Sequence, residues 1–304
     1  MIRTQLELFP EEIEKDKNTK NFIIRKSSSN NFRGWNDVVA YMAKSFNTSD
    51  RKYFAGMTDG DGTLHLHPRK NRPNPCLRIG IELRHDHAEP VLKLAEIFDL
   101  TISKKIYLKK KGNTKSSLKI ELSGIKAKIF LFSIYPYLLE VKKEARAVLI
   151  SLGCPEGHLP EERQFSFEYL AGYTDSEGTV EFRLAHSKTK TGNITSSYKM
   201  RYELTSNDNP HLQFIKQNLI DLGFDHFRKD YIYRYEKEKK DSRKKRKSGI
   251  NPENWKPTTH MYLGGTPTQL SKFYKNVEPF ILIKHKKDNM LSTMKYNDII
   301  TMNK

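Results

Sequence analysis

Two acidic residues at matching positions of two similar segments are the residues of this chain best suited to chemistry. Residues 54–63 read FAGMTDGDGT and residues 170–179 read LAGYTDSEGT. Each segment begins with apolar and small residues and ends with an acid, Asp61 in the first and Glu177 in the second. Carboxylate oxygens are preferred ligands of hard divalent cations, which can activate water for hydrolysis of a phosphodiester. If the two segments are helices that pack side by side, we expect the two carboxylates to meet at a common metal site.

Small residues recur four positions apart in both segments, at Gly56 and Gly60 and again at Gly172 and Ser176. Residues i and i+4 lie on one face of a helix, so each segment predicts a helix with a flat stripe that another backbone can approach closely. A glycine-containing helix in an ordinary core would explain one copy, but two matching copies favour a helix pair. The predicted interface residues are Ala55, Gly56, Ala171 and Gly172.

The charge of the chain favours a polyanionic partner. Its 304 residues include 54 Lys and Arg against 36 Asp and Glu, a formal net charge of +18. An excess of this size is typical of proteins that bind nucleic acid. An anionic membrane is the competing partner, but no stretch approaches the ~20 apolar residues of a spanning helix. We therefore expect a nucleic acid as partner and no membrane.

The cysteine content favours an intracellular, reducing compartment, such as a bacterial cytoplasm or an organelle matrix. Cys76 and Cys154 are the two cysteines, and they form neither a CxxC pair nor a zinc-binding spacing with histidine. The first residues are acidic and contain no long apolar region, so we expect no secretory signal.

The repeat divides the chain into segments with one predicted order of elements. Apolar and polar residues alternate in residues 76–85 and again in 197–205, which is typical of half-buried strands. Helical apolar spacing precedes and follows the paired strands, which gives the order αββαββα twice. The segments are an N-terminal extension over residues 1–50, a first repeat over 51–150, a linker over 151–163, and a second repeat over 164–304 with a basic insertion at 236–257.

The fold class that follows is α+β. We expect two repeats related by a pseudo-twofold axis, each with a four-stranded antiparallel sheet. Within the extension, the apolar spacing of residues 35–42 predicts one packing helix after a flexible lead.

The two motifs resemble those of the LAGLIDADG homing endonucleases, in the branch whose single chain carries both motifs. The resemblance covers both repeats and implies a monomeric enzyme that binds a long, asymmetric double-stranded DNA site and hydrolyses one phosphodiester in each strand. It implies Mg²⁺ as cofactor, with Mn²⁺ able to replace it and Ca²⁺ able to bind without supporting cleavage. The metal ligands that it implies are the carboxylates of Asp61 and Glu177 and the main-chain carbonyls of Gly60 and Ser176.

The resemblance also implies a catalytic lysine in each repeat. Residues 135–142 are similar to residues 278–284, and each stretch ends in a lysine. Lys142 and Lys284 are the predicted catalytic lysines, with Lys143 and Lys286 as alternatives; an exposed helix lysine without a catalytic role also fits. Asp59 and Asp175, which lie before the motif acids, are expected to cap or brace the helices.

The outer face of each predicted sheet carries polar residues that fit the major groove of DNA. Arginine can donate two hydrogen bonds to guanine, and an acid can accept one from cytosine. A solvated sheet face is the alternative for any one of these residues. The predicted DNA-binding residues are Arg78, Glu82, Arg84 and Lys119 in the first repeat, and Arg183, Lys199, Arg201, Glu203, Arg228 and Arg234 in the second.

Three alternatives stay open from the sequence. The basic run at residues 239–247 fits either a solvated loop or a segment that follows DNA phosphates. The whole chain also fits a maturase that binds intron RNA, or a DNA-binding protein that has lost cleavage. Retention of both motif acids favours a nuclease over these two.

Overall fold

The structure is a computed structural model, and it describes residues 13–15, 22–24, 46–69, 72–98, 100, 102–108, 114–188, 194–227, 231–233 and 258–303. Its internal contacts divide the chain into two compact units. The first unit contains Met1–Ser176 together with Leu282–Lys284, and the second contains Glu177–Ile281 together with His285–Lys304.

The first unit contains helices packed on one antiparallel sheet. Its helices are α1 (Thr48–Asp61), α2 (Glu89–Phe98), α3 (Gly124–Ile134), α4 (Lys142–Ser151) and α5 (Phe167–Glu177), whose last residue belongs to the second unit. Its strands are β1 (Ile13–Lys15), β2 (Phe22–Ile24), β3 (Gly62–Arg69), β4 (Arg72–Arg84), β5 (Ile102–Leu108) and β6 (Thr114–Ser123).

The sheet of the first unit has six strands, in the order β1-β2-β5-β6-β4-β3. The four predicted strands of the repeat, β3 to β6, are present, and an N-terminal hairpin adds two more that were not predicted. In this hairpin β1 pairs with β2, and β2 adds to the edge of β5 with Phe22 opposite Lys104. Part of the predicted extension thus belongs to the sheet, because an edge strand offers unpaired N–H and C=O groups to any segment that can reach it.

The alternation predicted for β4 is confirmed by burial. Leu77, Ile79 and Ile81 are each at most 1% exposed, whereas Arg78 faces the other side of the sheet and is exposed. Four buried aromatic rings complete this core, with edge and stacked contacts at 5.4 to 6.2 Å, and they are Phe46, Phe54, Phe98 and Phe130.

The second unit has the predicted four-stranded antiparallel sheet, in the order β7-β8-β10-β9. Its strands are β7 (Gly178–Lys188), β8 (Ile194–Ser206), β9 (Tyr231–Tyr233) and β10 (Thr258–Leu263), and its helices are α6 (Asn209–Asp221), α7 (Pro267–Val277) and α8 (Lys284–Met302). Tyr202, Phe273 and Tyr274 form its aromatic centre. The α+β class and the twofold repeat of elements are thus confirmed.

Helix α4 begins at Lys142, after a 3₁₀ turn at Tyr135–Tyr137 that contains Pro136. Proline fits the start of such a turn but not the interior of a helix. Residues 35–42 and the basic insertion at 236–257 lie outside the described residues. None of the helices in the described part of the chain is long and apolar enough to cross a membrane.

Candidate active site

The two motif segments form helices α1 and α5, which pack together within the first unit. A Cβ atom built on Gly56 would lie 2.7 Å from the main-chain nitrogen of Tyr173 and closer still to the carbonyl oxygen of Tyr169. One built on Gly172 would lie 2.8 Å from the carbonyl carbon of Tyr53 and closer still to its oxygen. Each glycine therefore faces the backbone of the other helix, and no larger residue fits at either position without separating α1 from α5.

Two tyrosine–aspartate hydrogen bonds cross between these helices. The hydroxyl of Tyr53 on α1 donates to Asp175 on α5 at 2.7 Å, and the hydroxyl of Tyr169 on α5 donates to Asp59 on α1 at 2.7 Å. Burial, followed by the neighbouring carboxylate, raises the pKa of both tyrosine hydroxyls well above 10.0. Both groups therefore stay protonated as donors in the folded state.

The same two aspartates also bind the segments that lead into α4 and α8. Asp59 accepts hydrogen bonds from the main-chain nitrogens of Leu139 and Val141 at 2.8 and 2.9 Å. Asp175 accepts from those of Leu282 and Ile283 at 2.8 and 3.2 Å. Both oxygens of Asp59 and Oδ2 of Asp175 thus accept main-chain donors, and the two aspartates brace the helices as expected.

Asp61 and Glu177, by contrast, lie at the helix ends and are partly exposed. Asp61 is the last residue of α1 and lines a concave pocket on the polar face of the first sheet, with His65 and Arg78 among the neighbours. Glu177 is the last residue of α5, and its carboxylate accepts a hydrogen bond from the hydroxyl of Thr205 at 3.3 Å. Both acids are thus accessible to a ligand, unlike Asp59 and Asp175.

The donors around these acids fit a hard divalent cation. Gly60 and Ser176 precede the two acids and are also partly exposed, and the Ser176 hydroxyl donates back to the carbonyl of Tyr173 at 3.0 Å. In the described part of the chain, no group of three or more His, Cys, Asp or Glu side chains is placed to hold a metal ion. A site at either acid would consist of oxygen donors from that acid and the main chain, completed by phosphate oxygens, which is a common arrangement for Mg²⁺.

The predicted catalytic lysines differ in their surroundings. Lys142 is 7% exposed; its ammonium group donates to the carbonyls of Pro136, at 3.3 Å, and Glu162, and lies 5.4 Å from the ring centre of Tyr135. Burial and the nearby Arg163 lower the pKa of this ammonium group. These contacts tie the linker before α5 to the start of α4, which sequence reasoning did not anticipate.

Of the other three lysines, Lys143 and Lys284 are exposed and Lys286 is 5% exposed. The buried lysines are therefore Lys142 in the first repeat, which was predicted to be catalytic, and Lys286 in the second, which was named as an alternative to Lys284. A catalytic role for any of the four stays a prediction.

The predicted DNA-binding residues of the first repeat lie on the polar face of its sheet. The carboxylate of Glu121 on β6 lies 3.4 Å from Arg78 and 3.4 Å from Lys119. Glu82 accepts a hydrogen bond from the hydroxyl of Ser117 at 2.6 Å, and exposed Arg84 makes two hydrogen bonds to Asp86. Sequence reasoning missed Glu121, although it shares the strand parity of Lys119.

In the second repeat, Arg183 and Lys199 are exposed and face each other across β7 and β8. Glu203 differs from the prediction of an accessible outer-face acid, because it is only 3% exposed. Its carboxylate lies between Arg201 and the ring nitrogen of His260, the latter at 2.6 Å, so both oxygens already have partners. Arg228 and Arg234 lie outside the described residues.

No protein-family model matches the chain, and no curated protein does. Among solved structures, the chain is similar to the LAGLIDADG meganuclease I-AabMI bound to uncleaved DNA, at 14% identity and a TM-score of 0.48 over 83% of this chain and 92% of that chain. It is similar to the I-LtrWI LAGLIDADG homing endonuclease bound to target DNA, at 14% identity and a TM-score of 0.45 over 82% and 90% of the two chains. The I-GzeII homing endonuclease in complex with its DNA target follows, at 13% identity and 0.43 over 83% and 91%. All three are LAGLIDADG nucleases, the family that the two sequence motifs resemble.

Proposed function

We propose that this chain is a LAGLIDADG homing endonuclease that makes a double-strand break in a long, asymmetric DNA site. The observation that carries the proposal is the reciprocal pairing of α1 and α5. The same contacts occur twice, glycine against backbone and tyrosine to aspartate, on helices that end in Asp61 and Glu177. A helix pair built only for stability would not require an accessible acid at both ends.

The four motif acids have two different roles, and this difference supports a metal-dependent reaction. Asp59 and Asp175 position the helices, which leaves Asp61 and Glu177 as the acids that would hold Mg²⁺, with the carbonyls of Gly60 and Ser176. When bound, the cation would activate water and stabilise the leaving oxygen of the cleaved strand. Mn²⁺ would replace it, whereas Ca²⁺ would bind without supporting cleavage.

The sheets and the net charge of +18 supply the DNA-binding surface. Arg78 in the first unit shares a pocket with Asp61, so a base-reading residue and a motif acid face the same space. Lysine and arginine contacts to phosphates would fix the register of the duplex without reading its sequence. We expect the protein to act as a monomer, because one chain contains both repeats.

Selection from a randomised duplex library tests this function. The wild-type protein is incubated with the library in Mg²⁺, and ends created by cleavage are captured and sequenced, with a reaction in EDTA as control. The proposal predicts one long, asymmetric consensus that is recovered only with the metal. Recovery of bound but uncut duplexes in both Mg²⁺ and Mn²⁺ would instead indicate a non-cleaving DNA-binding protein.

A maturase role is the second candidate, and intron RNA is the partner that it would require. The same charge would bind RNA, so binding alone does not separate the two. An RNA-folding role predicts faster splicing of an intron transcript by the protein and no cleaved duplex in the library experiment.

A further inference from the structure

The two sheets can be matched residue by residue from their registers. Gly62 and Gly178 follow the two motif acids; Gly62 pairs with Ile81 on β4, and Gly178 pairs with Leu204 on β8. Three residues before these partners stand Arg78 and Arg201, which are therefore equivalent.

Each of these arginines lies beside a carboxylate that also contacts a second basic side chain. The strand that supplies this carboxylate differs between the two units. In the first unit it is Glu121 of β6, which stands opposite Gly80 and contacts Lys119 as well. In the second unit it is Glu203 of β8, which stands at the position equivalent to Gly80 and contacts His260 as well.

The two arginines occupy equivalent positions, but their carboxylate partners lie on strands that are not equivalent. Tyr262 on β10 occupies the position equivalent to Glu121 on β6, and it lies opposite Glu203. The arrangement around the arginine recurs although the residues that build it differ, which favours a requirement on the direction of the arginine over a chance ion pair.

The two arrangements differ in solvent exposure. The side chain of Glu121 is 38% exposed, whereas that of Glu203 is 4% exposed. Exposed ion pairs are weak and rearrange easily. A buried carboxylate holds its donors firmly, because the loss of a donor would leave a buried charge without a partner. Arg201 also lies 4.9 Å from the ring centre of Tyr262 and donates to its hydroxyl at 3.3 Å, and that hydroxyl has its pKa raised by burial and by Glu203.

Arg201 nevertheless keeps donors for a ligand. Both of its hydrogen bonds leave from Nη2, and its Nη1 makes none with a described residue, while the side chain as a whole is 42% exposed. Its Nε is buried, so the two N–H groups of Nη1 are the donors left for a ligand. Because Nη2 is held by two partners, Nη1 points in a fixed direction, as donation to the acceptors of guanine in the major groove requires.

We propose that Arg201 is a specificity-determining residue that reads a guanine, and that Glu203 is a positioning residue that fixes the direction of its guanidinium. Glu203 does not read a base itself, because His260 and Arg201 occupy its oxygens. Arg78 and Glu121 form the looser counterpart in the first unit. This inference rests on the proposed function, since it requires a duplex bound to the sheet.

Binding without cleavage tests the inference. Affinities of the wild type, Arg201→Ala, Glu203→Gln and the double variant are measured in EDTA for the selected site and for every single-base substitution of it. We expect wild-type preference for guanine at one position, loss of that preference in Arg201→Ala, and a reduction of about tenfold in Glu203→Gln. In the Arg201→Ala background, Glu203→Gln should change the base preference no further.

Glu121→Gln and Tyr262→Phe serve as comparisons. Glu121→Gln should change preference by less than about threefold at a different position, because its pair is exposed. Tyr262→Phe keeps the ring and removes only the hydroxyl that accepts from Arg201. It therefore tests whether the orientation of Arg201 sets the base preference, even if Glu203→Gln unfolds. Uniform weakening at every position by Glu203→Gln and unchanged preference in Tyr262→Phe would overturn the positioning role. A wild-type protein without any sequence preference would overturn the proposed function together with it.

Discussion

Among single residues, Asp59 and Asp175 show how one side chain can serve several elements. Asp59 accepts from two main-chain nitrogens before α4 and from the hydroxyl of Tyr169 on α5. Its carboxylate therefore joins three parts of the first unit at one point. That arrangement places the helix end, and so Asp61, at a fixed position relative to the sheet that follows.

Asp59→Asn is expected to lower the free energy of unfolding by about 3 kcal/mol, because an amide keeps one acceptor oxygen and places N–H groups against main-chain donors. Urea denaturation measures the loss. Asp298→Asn is the matched control, since Asp298 lies on an exposed position of α8. Equal stability of the two variants would contradict the bracing role.

Tyr53→Phe should cost about 2 kcal/mol at neutral pH, because Asp175 loses a buried donor. The cost should shrink above pH 10. Since the folded pKa of Tyr53 is raised, the unfolded chain releases this proton first, and the stability that the hydroxyl contributes is present below pH 10 and lost as the pH rises further. Phenylalanine has no such proton, so the wild-type and variant curves of unfolding free energy should converge at alkaline pH; parallel curves would refute the shift.

Among elements, the pairing of α1 with α5 depends on two glycines more than on any large side chain. Replacing a helical glycine by alanine normally stabilises a helix by roughly 1 kcal/mol. Here the added methyl group would meet the backbone of the partner helix.

Gly56→Ala and Gly172→Ala should therefore each destabilise the protein by more than about 3 kcal/mol, in spite of the better helix propensity. Thermal and urea unfolding both report this. Gly157→Ala is the control, because a Cβ atom there meets nothing within 4 Å and the residue has no positive φ. A stabilising effect of Gly56→Ala would mean that the helices do not approach as described.

The elements also show what a sequence can and cannot predict. The motif helices, β4 and β8 follow from local periodicity, and the bracing role of Asp59 follows from its place beside Asp61. The added strands β1 and β2 could not be predicted, because their partner β5 lies far along the chain. The burial of Glu203 could not be predicted either, because it depends on His260, 57 residues away.

For the whole molecule, the net charge of +18 predicts DNA binding that weakens steeply with salt. The run at residues 239–247 contributes seven of the basic residues and lies outside the described part of the chain. Its two interpretations, solvated loop and phosphate contact, give different salt dependence.

Replacing the seven basic residues of this run by glutamine should reduce the slope of log affinity against log salt by roughly 2 or more if the run contacts phosphates. The base preference should stay the same, since phosphate contacts carry no sequence information. Fluorescence anisotropy over a salt series measures the slope. An unchanged slope would identify the run as a solvated loop.

We propose that Asp61 and Glu177 act in cleavage, while the rest of each motif helix holds them in place. Strand-resolved cleavage of the selected site in Mg²⁺ tests this most directly, with wild type, Asp61→Asn and Glu177→Gln compared at protein concentrations that saturate the DNA. We predict that the wild type cuts both strands and that each variant binds the site with near wild-type affinity but yields no double-strand break. Double-strand cleavage at the wild-type rate by either variant would contradict the assignment of these acids.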